Sequence, residues 1–300
     1  MSHNHNHNHI TSDSKSTSNI KTAFFLNIFF TIIEVWGGFW TNSTAILSDA
    51  LHDLGDSLSL GLAWFLDNKS KQKSNDTFTF GYRRFSLLGA LINGIVLVTG
   101  SAFILYEAIP RLFNPQHSNA KGMLYFAIGG IIINGAAVLK LKSGKSMNER
   151  VVTWHLLEDV LGWVAVLVVS IVLLFKDIHI LDPILSILIT LYVLFNVVRN
   201  LKKTIFIFLQ SVPEDLNIKD IENKVKSIDK VKSTHHAHIW SQDGEHHVLS
   251  IHVVVENVKD MDEIIEKKRK IRESFKDMSI EHVTVEVELE EEECYMKEDC

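Results

Sequence analysis

Residues 44–66, TAILSDALHDLGDSLSLGLAWFL, are long and apolar enough to cross a bilayer, yet they carry Asp49, His52, Asp53 and Asp56. At about 100° per residue the spacing i, i+3, i+4, i+7 puts these four on one helix face, while Leu and Ala fill the rest. An ionisable side chain at mid-bilayer costs roughly 2.5–3.5 kcal/mol on insertion scales, so it faces protein, water or an ion and marks a pathway. A second stretch, VVTWHLLEDVLGWVAVLVVSIVLLF at 151–175, repeats the chemistry, with His155 and Asp159 i, i+4 apart at one end. Two His-x-x-x-Asp pairs on two helices make two nitrogens and two carboxylate oxygens, a set suited to tetrahedral Zn²⁺. One such pair alone could merely pin two helices by hydrogen bonding. A second pair on another span matches a metal's need for donors converging from separate helices. Two neutral imidazoles and two carboxylates are neutralised by one divalent cation; with the cation gone, protons could take up the charge, a basis for exchanging metal for protons. Spacing alone does not choose between Asp49/Asp53 and His52/Asp56, since both are i, i+4 pairs.

The chain is 46% hydrophobic with a net charge of −6, totals that would also fit a large soluble domain. The distribution decides otherwise. Apolar residues concentrate at 20–40, 44–66, 86–107, 121–142, 151–175 and 183–209, each near the roughly 20 residues that cross a bilayer core. This predicts a membrane all-α bundle of six transmembrane helices over 20–209. Fourteen Lys and Arg fall on one side of these spans and three, Arg111, Lys121 and Lys176, on the other, so both termini are expected in the cytoplasm. The first apolar segment follows polar residues and precedes no small-residue cleavage pattern, which reads as a span and not a removed signal. Cys294 and Cys300, the two cysteines, lie in the last seven residues, so no disulfide framework holds the earlier chain and the pair suits a reducing cytosol. A multi-pass protein of a bacterial plasma (inner) membrane is expected, with no nucleic-acid partner.

Residues 1–19 read as a disordered cytosolic tail. In it His3, His5, His7 and His9 alternate with Asn, either a loose collector of metal ions or low-complexity sequence without a role. Residues 213–290 have soluble texture: a helical pattern at 214–228, strands at 231–240 and 246–256 around an Asp243-Gly244 turn, an amphipathic helix from Met261, then the alternating HVTVEVELE. The order α-β-β-α-β predicts a small cytosolic α+β domain with helices on one face of a sheet. Residues 291–300 are expected to be a solvated acidic tail.

The run EVWGGFWTNSTAILSDALHDLGDS from Glu34 to Ser57, the FGYRR after the second span and WHLLEDVLGW at 154–163 resemble the cation diffusion facilitator family, in its branch of bacterial zinc exporters. The resemblance implies a transport site of His52, Asp56, His155 and Asp159. Asp49 and Asp53 then become accessory groups for relay, access or packing. It also implies a homodimer with metallochaperone-like C-terminal domains and Zn²⁺/H⁺ antiport by alternating access, Zn²⁺ being transported substrate and regulatory ligand. A regulatory site in the cytosolic domain maps best onto His238 and His252, then Glu288 and Glu286. Two departures stand out. The segment between the fourth and fifth spans carries no histidine cluster, and Gln210 occupies a position where such exporters commonly carry an acid able to interlock with Arg83 or Arg84.

The expected function is therefore proton-coupled efflux of zinc, with cobalt or cadmium as further cargo. Two other classes compete. A membrane metal sensor would signal through its C-terminal domain, and an intramembrane metal hydrolase would need an open coordination position for water. No His-Glu-x-x-His sequence supports the latter.

Overall fold

A computed structural model describes residues 10–70, 72–141, 147–290, 292 and 294, with the side chains of 10–23 and 147–156 and of a few other helix positions outside the description. Six long helices come first: α1 (Ile10–Thr41), α2 (Thr44–Ser70), α3 (Phe85–Phe113), α4 (Ala120–Leu141), α5 (Met147–Phe175) and α6 (Leu181–Phe208). They stand where six spans were expected. Among the described residues α3, residues 157–175 of α5 and α6 are long and apolar enough to cross a membrane by length and composition alone. In α2 the run of ionisable residues on one face lowers the average. Helix α1 starts ten residues before the first apolar segment, within the stretch expected to be disordered. Once an apolar helix is nucleated, each further residue costs little to add. Residues 1–9, with His3, His5, His7 and His9, lie outside the described residues.

In the helical unit, α4 packs along α5 and against α1. The start of α2 joins them through a core of Ala45, Ile46, Met123, Ala127, Trp163, Val166 and Leu173. Gly130 makes this contact possible, because a Cβ there would lie 2.3 Å from the Trp163 ring. Small residues let helix backbones approach in lipid, where dispersion and not water exclusion drives packing. On its other flank α2 meets α3 and α6 through Leu51, Leu97, Val193 and Val197.

A polar seam runs between α2 and α6. The wholly buried Asp182 carboxylate accepts from Ser43 Oγ at 2.5 Å, Thr44 N at 2.8 Å, Thr44 Oγ1 at 3.0 Å and Ala45 N at 3.3 Å. It caps the free N–H groups that open α2 and offsets the positive end of that helix's dipole. Ser186 Oγ donates to the Thr44 carbonyl at 2.9 Å, and Ser48 Oγ meets Thr190 Oγ1 at 2.7 Å.

The C-terminal domain follows as α7 (Ile218–Lys226), β1 (Val231–Ser241), β2 (His247–Val255), α8 (Met261–Glu273) and β3 (Ile280–Leu289), the expected α-β-β-α-β order. The sheet order is β1-β2-β3, antiparallel between the first two strands and parallel between the last two. Asn217 and Asp260 cap the two helices by accepting from Lys219 N and Glu263 N. Ile221 and Val225 of α7 and Ile271 of α8, with Phe275 just beyond it, bury against Ile239, Leu249, Ile251, Val253, Val255 and Val285. With period two along a strand, odd positions of β2 therefore face this core and even positions face the opposite side. The β1–β2 turn closes through Gly244 at φ 104, where Gly244 N donates to Ser241 Oγ at 2.8 Å and Asp243 Oδ1 accepts from Glu245 N and His246 N. Arg83, in the segment between α2 and α3, pairs with Glu281 of β3 at 2.6 Å, and Gln210 sits in the left-handed region at φ 59.

Candidate metal centres

Helix α2 turns Asp49, His52, Asp53 and Asp56 to one side, as the i, i+3, i+4, i+7 spacing dictates. From α5, Asp159 points at the same place. His52 Nε2 lies 3.8 Å from Asp56 Oδ2 and 3.7 Å from Asp159 Oδ1. Tetrahedral bonds of 2.0–2.1 Å place neighbouring ligand atoms about 3.3–3.4 Å apart, so each of these two separations from His52 Nε2 is within a few tenths of an ångström of that spacing. The His155 side chain lies outside the described residues, although its position falls on α5 one turn before Asp159. Gly162 keeps α5 near α2, since a Cβ there would meet Asp49 Oδ1 at 3.2 Å.

Asp49, Asp53 and Asp159 are buried, while His52 and Asp56 are partly open, which gives the group one accessible side. Asp49 Oδ2 finds no hydrogen-bond donor among the described residues. A further carboxylate joins from α1. Glu34 is 0% exposed, and neither of its oxygens has a donor among the described residues. Asp53, Asp49 and Asp159 are its acidic neighbours. In the sequence Glu34 is a single acid on an apolar segment, at the start of the EVWGG run. Its lone charge in a span was the signal available.

A second group lies in the C-terminal domain, on the sheet face away from the helices. His235, His252, Glu288 and Cys294 each offer a ligand atom, all within 4.8 Å of one another. His252 Nδ1 meets Glu288 Oε1 at 2.7 Å, His235 Nε2 meets Glu288 Oε2 at 3.1 Å, and Cys294 Sγ is 3.9 Å from His252 Nδ1. Glu286 stands at the margin, half exposed, 3.3 Å from His252 Nε2. Burial pulls the Glu288 carboxyl up, but hydrogen bonds from His252 and Cys294 and the neighbouring histidines outweigh it and hold it below the usual carboxylate range.

His252, Glu288 and Glu286 thus meet, but His238 does not join them. It is exposed and stands opposite Ser250, whereas His235 stands opposite His252. His238 falls opposite Ser250 in unbroken register from the Ser241–His247 pair, and a bulge at His236, whose φ of 44 marks an extra residue in β1, then puts His235, and not His236, opposite His252. Cys294, read from the sequence only as a reduced cytosolic thiol, returns to the sheet just past β3.

A helical unit with buried carboxylates and an imidazole in its apolar interior, joined to a small α+β domain with its own ligand group, defines a membrane protein that handles cations. The chain belongs to the cation efflux family: residues 20–209 match its transmembrane domain and residues 213–290 match the cytoplasmic domain of cation efflux proteins. It is 36% identical over 263 residues to the cadmium, cobalt and zinc/H⁺-K⁺ antiporter of Bacillus subtilis, covering 86% of this chain and 85% of that one. It is 34% identical over 282 residues to zinc transporter ZitB of Pectobacterium atrosepticum, covering 92% and 87%. To metal cation efflux system protein CzcD of Cupriavidus metallidurans it is 34% identical over 275 residues, covering 90% and 86%. The chain is accordingly a multi-pass membrane transporter, and the hydrolase expectation is set aside.

Proposed function

We propose that this protein exports Zn²⁺ from the cytosol in exchange for protons, with Co²⁺ and Cd²⁺ as competing cargo. The observation that carries the reading is the convergence of His52 and Asp56 from α2 with Asp159 from α5 inside an apolar helical unit. His155 completes the ligand set from the adjacent turn of α5. Imidazole with carboxylate is a borderline donor set that suits Zn²⁺, and the names of the relatives point to the same ions.

The cargo ion neutralises carboxylates that are costly to keep charged and unpaired in a low-dielectric interior. When it leaves, protons take its place, and Glu34 with Asp53 holds one of them between two oxygens. Zinc release and proton uptake are in this way two states of one charge balance. Both termini are cytoplasmic, the host is a plasma membrane, and two copies pair through the cytoplasmic domain. Metal held by His235, His252, Glu288 and Cys294 makes zinc a regulatory ligand as well, stabilising the domain arrangement that binds it.

The test is zinc flux in proteoliposomes under an imposed pH gradient, repeated with a potassium gradient. Wild type should move zinc against protons, while Asp159→Ala and Asp56→Ala should lose the flux. Wild-type rates in either variant would remove the transport site from these residues.

A further inference from the structure

A third group of metal-ligand side chains sits at the end of the helical unit where α3 passes to α4 and α5 passes to α6. His117 Nδ1 lies 2.8 Å from His179 Nε2, and Asp177 Oδ1 lies 2.5 Å from the same His179 nitrogen and 3.9 Å from His117 Nδ1. All three ligand atoms fall within 4.8 Å of one another. His117 is some sixty positions from Asp177 and His179 in sequence, and three connections hold them together. Asn42, in the turn between α1 and α2, donates to the His117 carbonyl at 3.1 Å and accepts from Arg111 Nη1 and Ser118 Oγ. A tight turn from Lys176 to Leu181 presents Asp177 and His179 side by side.

We infer that His117, Asp177 and His179 form a weak divalent-cation site at this end of the membrane unit. Two imidazole nitrogens and one carboxylate oxygen are the donor set that suits Zn²⁺, and three protein ligands leave a position for water, as in sites that exchange their contents. The donors now stand closer than the roughly 3.3–3.4 Å of a tetrahedral set on two of three sides, so an ion enters by spreading them slightly. His117 and Asp177 have the freedom to do so, being 81% and 79% exposed at the side chain. His179, at 13%, is the fixed post. Its Nδ1 accepts from Ser118 N at 3.3 Å, which leaves the ring proton on Nε2. Loading moves that proton to Nδ1 and forfeits the Ser118 contact, a cost that keeps the affinity low. Under the proposed export direction this is the release end, where a site holding cargo as tightly as the transport site would block its escape. The binding itself does not depend on that reading.

Zn²⁺ binding to the full chain in lipid nanodiscs tests it, with His117→Ala/Asp177→Asn as the main variant because both side chains are exposed and their loss spares the fold. Wild type should bind a weak Zn²⁺ equivalent that the double variant lacks, and Asp177→Asn alone should weaken it by at least about tenfold. A His52→Ala/Asp56→Ala chain should keep this equivalent and lose another. The same number of ions bound with the same constants in the double variant overturns the site, whatever the flux assay shows. Loss of the equivalent in a protein that moves no zinc would uphold the site and sink the export reading alone.

Discussion

Asp182 links the stability of the helical unit to the placement of α2, and its replacement has a magnitude that follows from the structure. In Asp182→Ala, Ser43 Oγ and Thr44 Oγ1 can turn toward other acceptors, but Thr44 N and Ala45 N are fixed by the first turn of α2 and stay buried without partners. Each orphaned donor costs about 1–3 kcal/mol, and the lost charge at a helix N-terminus adds up to about 2 kcal/mol. Relief from burying a carboxylate offsets part of this, leaving a net loss of about 3–4 kcal/mol. Asp182→Asn keeps one acceptor oxygen in place but turns an amide donor toward other donors, for about 1–2 kcal/mol. Thermal unfolding in detergent reads both: an apparent Tm lowered by on the order of 5–10 °C for the alanine variant and about half that for asparagine. An alanine variant that melts with wild type would show that the seam between α2 and α6 does not hold α2.

Glu34→Gln keeps the shape of the carboxyl but cannot pass a proton to Asp53; pH-driven zinc flux should fall at least about tenfold, equivalent to ~1.4 kcal/mol, with folding retained. Unchanged flux and pH dependence would leave Glu34 as packing. In the cytosolic group, Co²⁺ should give a thiolate charge-transfer band that Cys294→Ser abolishes, and His235→Ala should weaken binding at least about tenfold while His238→Ala has little effect. The reverse order would make His238, and not His235, the ligand. Asp243→Ala should cost the C-terminal domain about 1–2 kcal/mol near neutral pH, read by chemical denaturation. Burial pulls the Asp243 carboxyl up, but the Glu245 and His246 N–H groups and the His246 ring outweigh it, so its folded value lies below the ordinary one. A depressed carboxyl stabilises fully above its unfolded value, about 3.9, and loses that contribution as pH falls through the folded value, so the two denaturation curves should converge in acid. A gap that persists there would assign the effect to the turn's shape and not to its charge.

What could be read from the chain in advance was set by local periodicity. The apolar segments marked all six long helices, and the i, i+4 spacing placed His52 and Asp56 on the face of α2 where Asp159 meets His52. Alternation and the Asp243-Gly244 turn located β1, β2 and β3 to within a residue or two. Periodicity is silent about neighbours that only packing creates. Glu34 has no acid or histidine one helical turn away on α1, so its place beside Asp53 depends on how α1 lies against α2. Asp182 reads as an ordinary first-turn acid of α6 until its four donors from α2 are seen.

The cytosolic group marks a second limit, one of register. A side-chain period of two means that a single extra residue re-pairs everything after it, and the bulge at His236 does this between His235 and His238. Regular pairing counted back from His238 and Ser250 would carry His236, and not His235, across from His252. A non-glycine residue in the left-handed region is uncommon, and nothing in KSTHHAHIW announces one at His236. The bulge persists because its neighbours hold it. His236 is buried, its ring edge-on to those of His235 and His252 at centroid distances of 5.2 and 5.3 Å, so three imidazoles crowd around the Glu288 carboxylate. The same carboxylate explains why β3 ends out of pattern, with Glu288 buried and Leu289 half exposed: a charge hydrogen-bonded to His252 and beside His235 is better placed inside than a leucine with no core left to join. The ligand identity in this domain is therefore a property of strand pairing: flattening the bulge with every residue kept would bring His236 opposite His252, whereas deleting His236 would leave His235 there.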